Sequence, residues 1–313
     1  MWNFHIRGGC DIGARPIDLH LNSFKKIGIK VDENNGRIKC FRENVLNSLI
    51  HLDFPSVGAT ENIILSTVLL PNTTTIIENV AMEPEIIDLC KFLNGLGAQI
   101  EGAGSNIIKI NGKLKLKKGI SYNIMPDRIE AGTFLVAAAI TQGDVRLNKV
   151  NSEDLRAVLS KLEECGAKIE LGDNYIHLKM ENRPKSVEIK TMPYPGFPTD
   201  MQSIFTSLLC VSKGISVVTE NIFENRFKYI GELQRMGAKI KQKEKTIIIY
   251  GRKRFNSANV ISTDLRGGAS MVLAALTARG ETKIDNVSYI LRGYENLDGK
   301  LSRLGADIKR YYY

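Results

Sequence analysis

One cysteine stands where reactivity is favoured. In Arg7-Gly8-Gly9-Cys10-Asp11-Ile12-Gly13-Ala14-Arg15-Pro16-Ile17-Asp18-Leu19-His20, Cys10 lies among glycines and between two arginines. Glycine lets the backbone bend sharply and approach a ligand closely. Flanking guanidiniums favour the thiolate and attract an anionic substrate. The pattern points to an acid or nucleophile on a loop; the competing interpretation is an exposed loop whose cysteine has no task. Cys40, Cys90, Cys165 and Cys210 are widely spaced and form no C-x-x-C pair, which argues against a disulfide framework or a zinc site. Cys90, Cys165 and Cys210 fall in apolar helical patterns, where cysteine acts as a small hydrophobe.

The elements that must position such a loop come as a repeat. An amphipathic helix, a glycine stop and a short strand recur as SFKKIGIKV at Gly28, FLNGLGAQI at Gly97, LEECGAKI at Gly166, LQRMGAKI at Gly237 and LSRLGADI at Gly305. Those glycines are 69, 69, 71 and 68 positions apart, a regularity that indicates duplication. In the third copy Ser152 is expected to cap the helix, with Leu155, Val158, Leu159 and Leu162 as its apolar stripe. Tyr294, Leu297, Leu301 and Leu304 should form the equivalent stripe in the last copy.

A second signature precedes each of the later helices: a polar turn, a helix apolar on nearly every side, and a strand. The copies are SVGATENIILSTVLL, RIEAGTFLVAAAIT, FPTDMQSIFTSLLCV and DLRGGASMVLAALTA. Helices without a polar face should be buried all round, enclosed by the amphipathic helices and strands. Each unit of about 70 residues therefore reads β-α-β-α-β-β. The polar turns carry Ser56, Glu61 and Asn62; Asp127, Arg128 and Glu130; Asp200; and Asp264 and Arg266. Any one of them has a simple explanation as a helix cap. Four converging turns, each with helix N-termini, would instead make an anion site.

Composition sets the outer limits. With 43% hydrophobic and 25% charged residues, the chain is globular with an ample core. No apolar run approaches the ~18 residues of a membrane span, and Met1-Trp2-Asn3-Phe4-His5 lacks the basic start and apolar run of a signal peptide; the expected location is cytoplasmic. The net charge of +9 suits phosphorylated small molecules. Lys113, Lys115, Lys117 and Lys118 interleave with Leu114 and Leu116 rather than with stacking aromatics, which speaks for a half-solvated strand and against nucleic acid. No sequence signal addresses oligomeric state.

The ordered segments GGC-D-IGARPIDLH, DFPSVGATENI, EPEI, PDRIEAGTFL, FPTDMQ, FENRF, DLR and RGYE resemble the UDP-N-acetylglucosamine enolpyruvyl (1-carboxyvinyl) transferases. The resemblance runs from about Gly8 to the C-terminus. It implies an α/β fold of α+β repeats: a two-lobed inside-out α/β barrel of the enolpyruvyl transferase type. The lobes would be residues 1–125, with the cysteine loop, and 126–313, with three repeats. It also implies transfer of the enolpyruvyl group of phosphoenolpyruvate to the 3-hydroxyl of UDP-N-acetylglucosamine, the first committed step of peptidoglycan synthesis. Cell-wall biogenesis, cell shape and cell division depend on that step. Cys10 would protonate the phosphoenolpyruvate methylene and would be the residue that fosfomycin alkylates. Asp200 would take the hydroxyl proton, Asp264 would place the reacting centre, and Arg292 would serve the anionic substrates. Arg15, Arg226 and Arg266 match further cations near those substrates. Pro16, Ile17, Asp18 and Leu19, together with Ser56, Val57, Gly58, Asp200 and Ile222, match the surfaces that hold the UDP-sugar. No metal or organic cofactor, nucleic acid or membrane partner is implied.

The chain departs from the family pattern at its start. A three-plus-three repeat fold needs six copies and five are present, so roughly a hundred residues of the pattern have no counterpart. They include a K-x-x-N pair that contacts phosphoenolpyruvate. The expectation is that this chain alone turns over poorly or not at all, and that its first lobe exposes a sheet edge. The alternative reading is a truncated, catalytically inactive relic or a UDP-sugar-binding paralogue.

Overall fold

Gly28, Gly97, Gly166, Gly237 and Gly305 all take a positive φ, between 86° and 102°, in the computed structural model, which describes residues 2–5, 17–34, 37–42 and 45–311. Left-handed backbone at the end of a helix is nearly free for glycine alone, so one residue type ends all five helices. The chain forms two compact units. The first comprises the described residues up to Met125 together with Pro193–Pro195; the second comprises Pro126–Met192 and Gly196 onward.

In the first unit the elements are β1 (Trp2–His5), α1 (Asp18–Lys26), β2 (Ile29–Asn34) and β3 (Arg37–Arg42), then β4 (Ser48–His51), α2 (Val57–Thr67), β5 (Thr74–Glu78), α3 (Pro84–Gly95), β6 (Gln99–Glu101) and β7 (Ile107–Asn111). The first three strands form an antiparallel sheet in the order β1-β3-β2. The next four run β4-β5-β7-β6, with only β4 and β5 parallel. That second set realises the whole β-α-β-α-β-β unit. Its alternating isoleucines do the packing: Ile77, Ile108 and Ile110 are fully buried, against Ile63 and Ile64 of α2.

The second unit holds α4 (Arg128–Ile140), β8 (Asp144–Asn148), α5 (Arg156–Glu164), β9 (Lys168–Gly172), β10 (Tyr175–Lys179), β11 (Glu188–Lys190), α6 (Gln202–Cys210), β12 (Ile215–Thr219), α7 (Ile230–Arg235), β13 (Lys239–Lys243), β14 (Thr246–Tyr250), β15 (Asn259–Ile261), α8 (Leu265–Ala275), β16 (Lys283–Asp285), α9 (Ser288–Leu291) and α10 (Leu297–Arg303). Its sheets run β8-β10-β9, β11-β12-β14-β13 and β15-β16. Every residue of α6 is buried, as are ten of the thirteen in α4. The apolar helices α4, α6 and α8 pack on one another in a single core. Close approach needs small residues: a Cβ on Gly132 of α4 would lie 2.9 Å from the Met201 side chain.

Five expectations require correction. Ser152 does not cap the third amphipathic helix: Asn151 Oδ1 accepts from the Glu153 amide and caps a 3-10 turn, Ser152–Leu155, and α5 follows it without a side-chain cap. Leu304 is 58% exposed, because α10 ends at Arg303 and the stripe stops with Leu301. The lysine-rich stretch is not a strand. After β7 the Lys113 and Lys117 amides donate to the ends of neighbouring helices at Val68 and Leu96, and no strand pairs with it. The helix α2 is not buried all round either, since Leu65 is 51% exposed on its outer side. Only the second and fourth copies show the full strand set among the described residues.

These two kinds of apolar helix should respond differently to truncation. Leu208→Ala on α6 should cost about 2–5 kcal/mol through lost burial and a cavity. Leu65→Ala on α2 should stay within about 0.5 kcal/mol. Denaturant unfolding of the two variants beside the parent checks the contrast.

Candidate active site

Asp200 sits in the 3-10 turn Thr199–Met201 that leads into α6. Its Oδ1 accepts from Arg226 Nη2 at 2.9 Å, and its Oδ2 accepts from Nε and Nη2 of Arg266, both at 3.1 Å. The two guanidiniums are enclosed, with side chains 3% and 13% exposed, whereas the Asp200 side chain keeps 39%. Burial alone would favour the neutral acid, but Arg266 and Arg226 outweigh it and hold the carboxyl below its ordinary range. Arg266 feels the same contest: burial disfavours its charge, and Asp200 and Tyr294 more than restore it.

The arginines are anchored from behind. Arg226 lies in the loop between β12 and α7; its Nη2 also donates to the Thr199 carbonyl at 3.3 Å, and its guanidinium lies 5.8 Å from the Phe223 ring. Arg266 stacks over the Tyr294 ring at 5.0 Å. The Tyr294 hydroxyl pairs with Thr133 Oγ1 of α4 at 2.9 Å, so the apolar helices supply the floor under the cations. Arg226 Nε and Arg266 Nη1 are buried donors without a partner among the described residues. The site therefore holds two cations around one carboxylate and leaves two buried N–H groups unused.

The four polar turns do not behave alike. Ser56, Asp127 and Asp264 are N-caps. Ser56 accepts from the Ala59 amide, Asp127 from the amides of Ile129 and Glu130, and Asp264 from those of Arg266 and Gly267 at 3.1 and 3.0 Å. Asp264 is 4% exposed, and its second oxygen accepts from Thr263 Oγ1. It therefore fixes the start of α8, and with it Arg266. Asp200 caps nothing, and its carboxylate is left for the arginines. Arg292 is exposed just after α9, and Ile222 is half-buried beyond β12.

In the first unit Ile17, Asp18 and Leu19 form the start of α1, and Ser56, Val57 and Gly58 the start of α2. His20 joins the two helices. The Asn62 amide nitrogen donates to its Nδ1 at 2.7 Å, which puts the ring proton on Nε2. Burial lowers the His20 pKa against the pull of Asp18. A Cβ on Gly58 would sit 3.3 Å from the imidazole, so glycine keeps this approach open. Burial, then Glu85, pushes the Glu61 carboxyl up. Cys10, Arg15 and Pro16 lie outside the described residues. The remaining cysteines are buried; burial pushes Cys90 up to about 11 and Cys165 to about 12. Such thiols are poor reagents.

Sequence reasoning placed Tyr294 only in an apolar stripe and missed its pairing with Thr133, 161 positions away. It also missed Tyr229, fully buried, whose hydroxyl donates to Gln202 and Thr206 of α6. The tyrosine of the RGYE motif was the available signal. Among the described residues no group of His, Cys, Asp and Glu is placed to hold a metal ion, and no helix is long and apolar enough to cross a membrane.

A family model described as EPSP synthase (3-phosphoshikimate 1-carboxyvinyltransferase) matches residues 2–301. UDP-N-acetylglucosamine 1-carboxyvinyltransferase 2 of Caldanaerobacter subterraneus subsp. tengcongensis is 50% identical over 304 residues, covering 97% of this chain and 72% of that protein. The UDP-N-acetylglucosamine 1-carboxyvinyltransferase of Shewanella piezotolerans is 48% identical over 307 residues, covering 97% and 73%. The chain thus spans about 72% of the length of the relatives it matches. The enolpyruvyl transferase NikO from Streptomyces tendae has a TM-score of 0.86 at 23% identity over 95% of this chain and 73% of that one. EPSP synthase from Acinetobacter baumannii gives 0.70 at 19% over 96% and 73%. These two structures share the fold.

The depressed Asp200 carboxyl makes a signed prediction. Its ionised form is favoured in the folded state, so its contribution to stability is complete above the ordinary value of 3.8 and is lost as pH falls through the lower folded value. The stability gap between the parent and Asp200→Asn should be flat above about pH 5 and shrink below about pH 4. Thermal melts across that range read it directly.

Proposed function

We propose, because the chain belongs to the EPSP synthase family and within it to the UDP-N-acetylglucosamine 1-carboxyvinyltransferases, that it transfers the enolpyruvyl group of phosphoenolpyruvate to the 3-hydroxyl of UDP-N-acetylglucosamine and releases phosphate. The reaction opens peptidoglycan synthesis, and on this reading it takes place in the cytoplasm.

The chemistry divides into an addition and an elimination. The sugar hydroxyl oxygen bonds to C2 of phosphoenolpyruvate as its proton passes to Asp200, while Cys10 delivers a proton to the methylene carbon. A proton then leaves the new methyl group, phosphate departs from C2, and the double bond is restored. The acid role of Cys10 is supported by its sequence setting, among glycines and between Arg7 and Arg15 in the chain. Arg292 and Arg15 supply further positive charge for phosphate and carboxylate groups. Asp264 acts by fixing the start of α8, from which Arg266 projects. Pro16, Ile17, Asp18 and Leu19, with Ser56, Val57, Gly58 and Ile222, are the residues that hold the UDP-sugar on this reading.

The observation that carries this reading is the Asp200 cluster. A carboxylate claimed by two guanidiniums is a weak base. An incoming anion that draws on the unpartnered Arg226 Nε and Arg266 Nη1 lessens the hold of the arginines on Asp200. Its proton affinity then rises when substrate is bound, which is when a base is needed.

Phosphate release from phosphoenolpyruvate by the purified chain, whatever its rate, should require UDP-N-acetylglucosamine and vanish in Cys10→Ser. Asp200→Asn should lower kcat by about 10²–10⁴-fold. Fosfomycin should add its mass to the parent and not to Cys10→Ser. A parent that binds no UDP-sugar and takes up no fosfomycin overturns the reading.

A further inference from the structure

Glu220 follows β12 directly and is 2% exposed. Its carboxylate is met from three directions by uncharged donors. Oε1 accepts from Thr191 Oγ1 at 2.9 Å, from the Ile222 amide at 2.8 Å and from the Phe223 amide at 3.1 Å. Oε2 accepts from Thr199 Oγ1 at 3.0 Å. Thr191 in turn accepts from the Asn221 amide at 2.9 Å, which commits its own proton to Glu220. One carboxylate therefore ties together the ends of the parallel strands β11 and β12, the loop through Ile222, and the turn that carries Asp200.

We propose that Glu220 is a positioning residue for the UDP-sugar and for Asp200, setting the Ile222 loop and the Thr199–Asp200 turn in register through its two oxygens. The proposal rests on the transferase reading above. The Ile222 and Phe223 amides have no helix or ladder to hold them, and Glu220 gives both one acceptor. Thr199 is fixed twice, by its side chain to Glu220 and by its carbonyl to Arg226. Asp200, the next residue, is thereby aimed between Arg226 and Arg266. A buried acid satisfied by four hydrogen bonds needs no cation to stay in place, so it does not compete with Asp200 for either guanidinium.

Two substitutions separate this role from general stability. Glu220→Gln keeps an oxygen for the two amides, and its NH₂ can donate to the Thr199 hydroxyl. Glu220→Ala removes every bond. Calorimetric titration with UDP-N-acetylglucosamine should show Gln within about threefold of the parent affinity and Ala weakened at least tenfold. Hydrogen exchange should speed up at the Ile222 and Phe223 amides in Ala alone, with the β12–β14 ladder unchanged. A folded Ala variant with parental affinity or parental protection at Ile222 and Phe223 overturns the proposal, and so does a Gln variant as weak as Ala. If Ala does not fold, Thr199→Ser and Thr199→Val carry the test, since only Val should weaken binding; equal affinity overturns the proposal. A parent chain that binds no UDP-sugar overturns the transferase reading itself, and the proposal with it.

Discussion

Two guanidiniums held away from water around one carboxylate are the constraint that organises the second unit. Removing Arg226 or Arg266 from water carries a penalty that only close, well-aimed partners offset. Asp200 is the partner both share, and it must stay ionised to serve. Each remaining contact keeps that geometry rigid: the Thr199 carbonyl under Arg226, the Tyr294 ring under Arg266, and Thr133 holding the Tyr294 hydroxyl. The floor beneath is apolar helix. A softer core would let the arginines reach solvent, and the carboxyl would regain its ordinary acidity.

Duplication explains how such a site arises among ordinary caps. Each apolar helix needs its first amides satisfied, and Ser56, Asp127 and Asp264 do that work at three starts. At the start of α6 the chain instead makes a 3-10 turn, Thr199–Met201, with no side-chain cap. Asp200 is thereby released from the backbone and turned toward charge. The polar turns before the apolar helices thus serve as caps in three copies and present a carboxylate to cations in another.

Periodicity made much of the fold legible. The glycine stops fell on left-handed backbone, the apolar segments became the buried helices of the second unit, and the family motifs led to the observed fold class. Local pattern failed where a neighbour decided the outcome. Ser152 and Asn151 are both good caps, and only the 3-10 turn chooses between them. Leu304 continues the heptad-like stripe on paper but falls beyond the last turn of α10. The lysines after β7 alternate like a strand, yet a strand needs a paired edge. Leu65 reads as core because composition cannot tell a helix packed on one side from one enclosed on all. Glu220 gave no sign at all, since its partners Thr191 and Thr199 stand 29 and 21 positions away.

The two acids of this region show why their environments must differ. Asp200 is partly open to solvent and faces cations; Glu220 is closed in and faces hydroxyls and amides. Had a lysine or arginine served Glu220, a third cation would sit beside Arg226, and repulsion would push one of them away from Asp200. Had Asp200 been held by neutral donors, no positive charge would remain for an anionic ligand. Dividing the work, with dipoles for the acid that positions and cations for the acid that meets ligand, lets the two carboxylates keep separate sets of partners within one short stretch of chain. Substituting one kind of partner for the other would therefore change function before it changed fold.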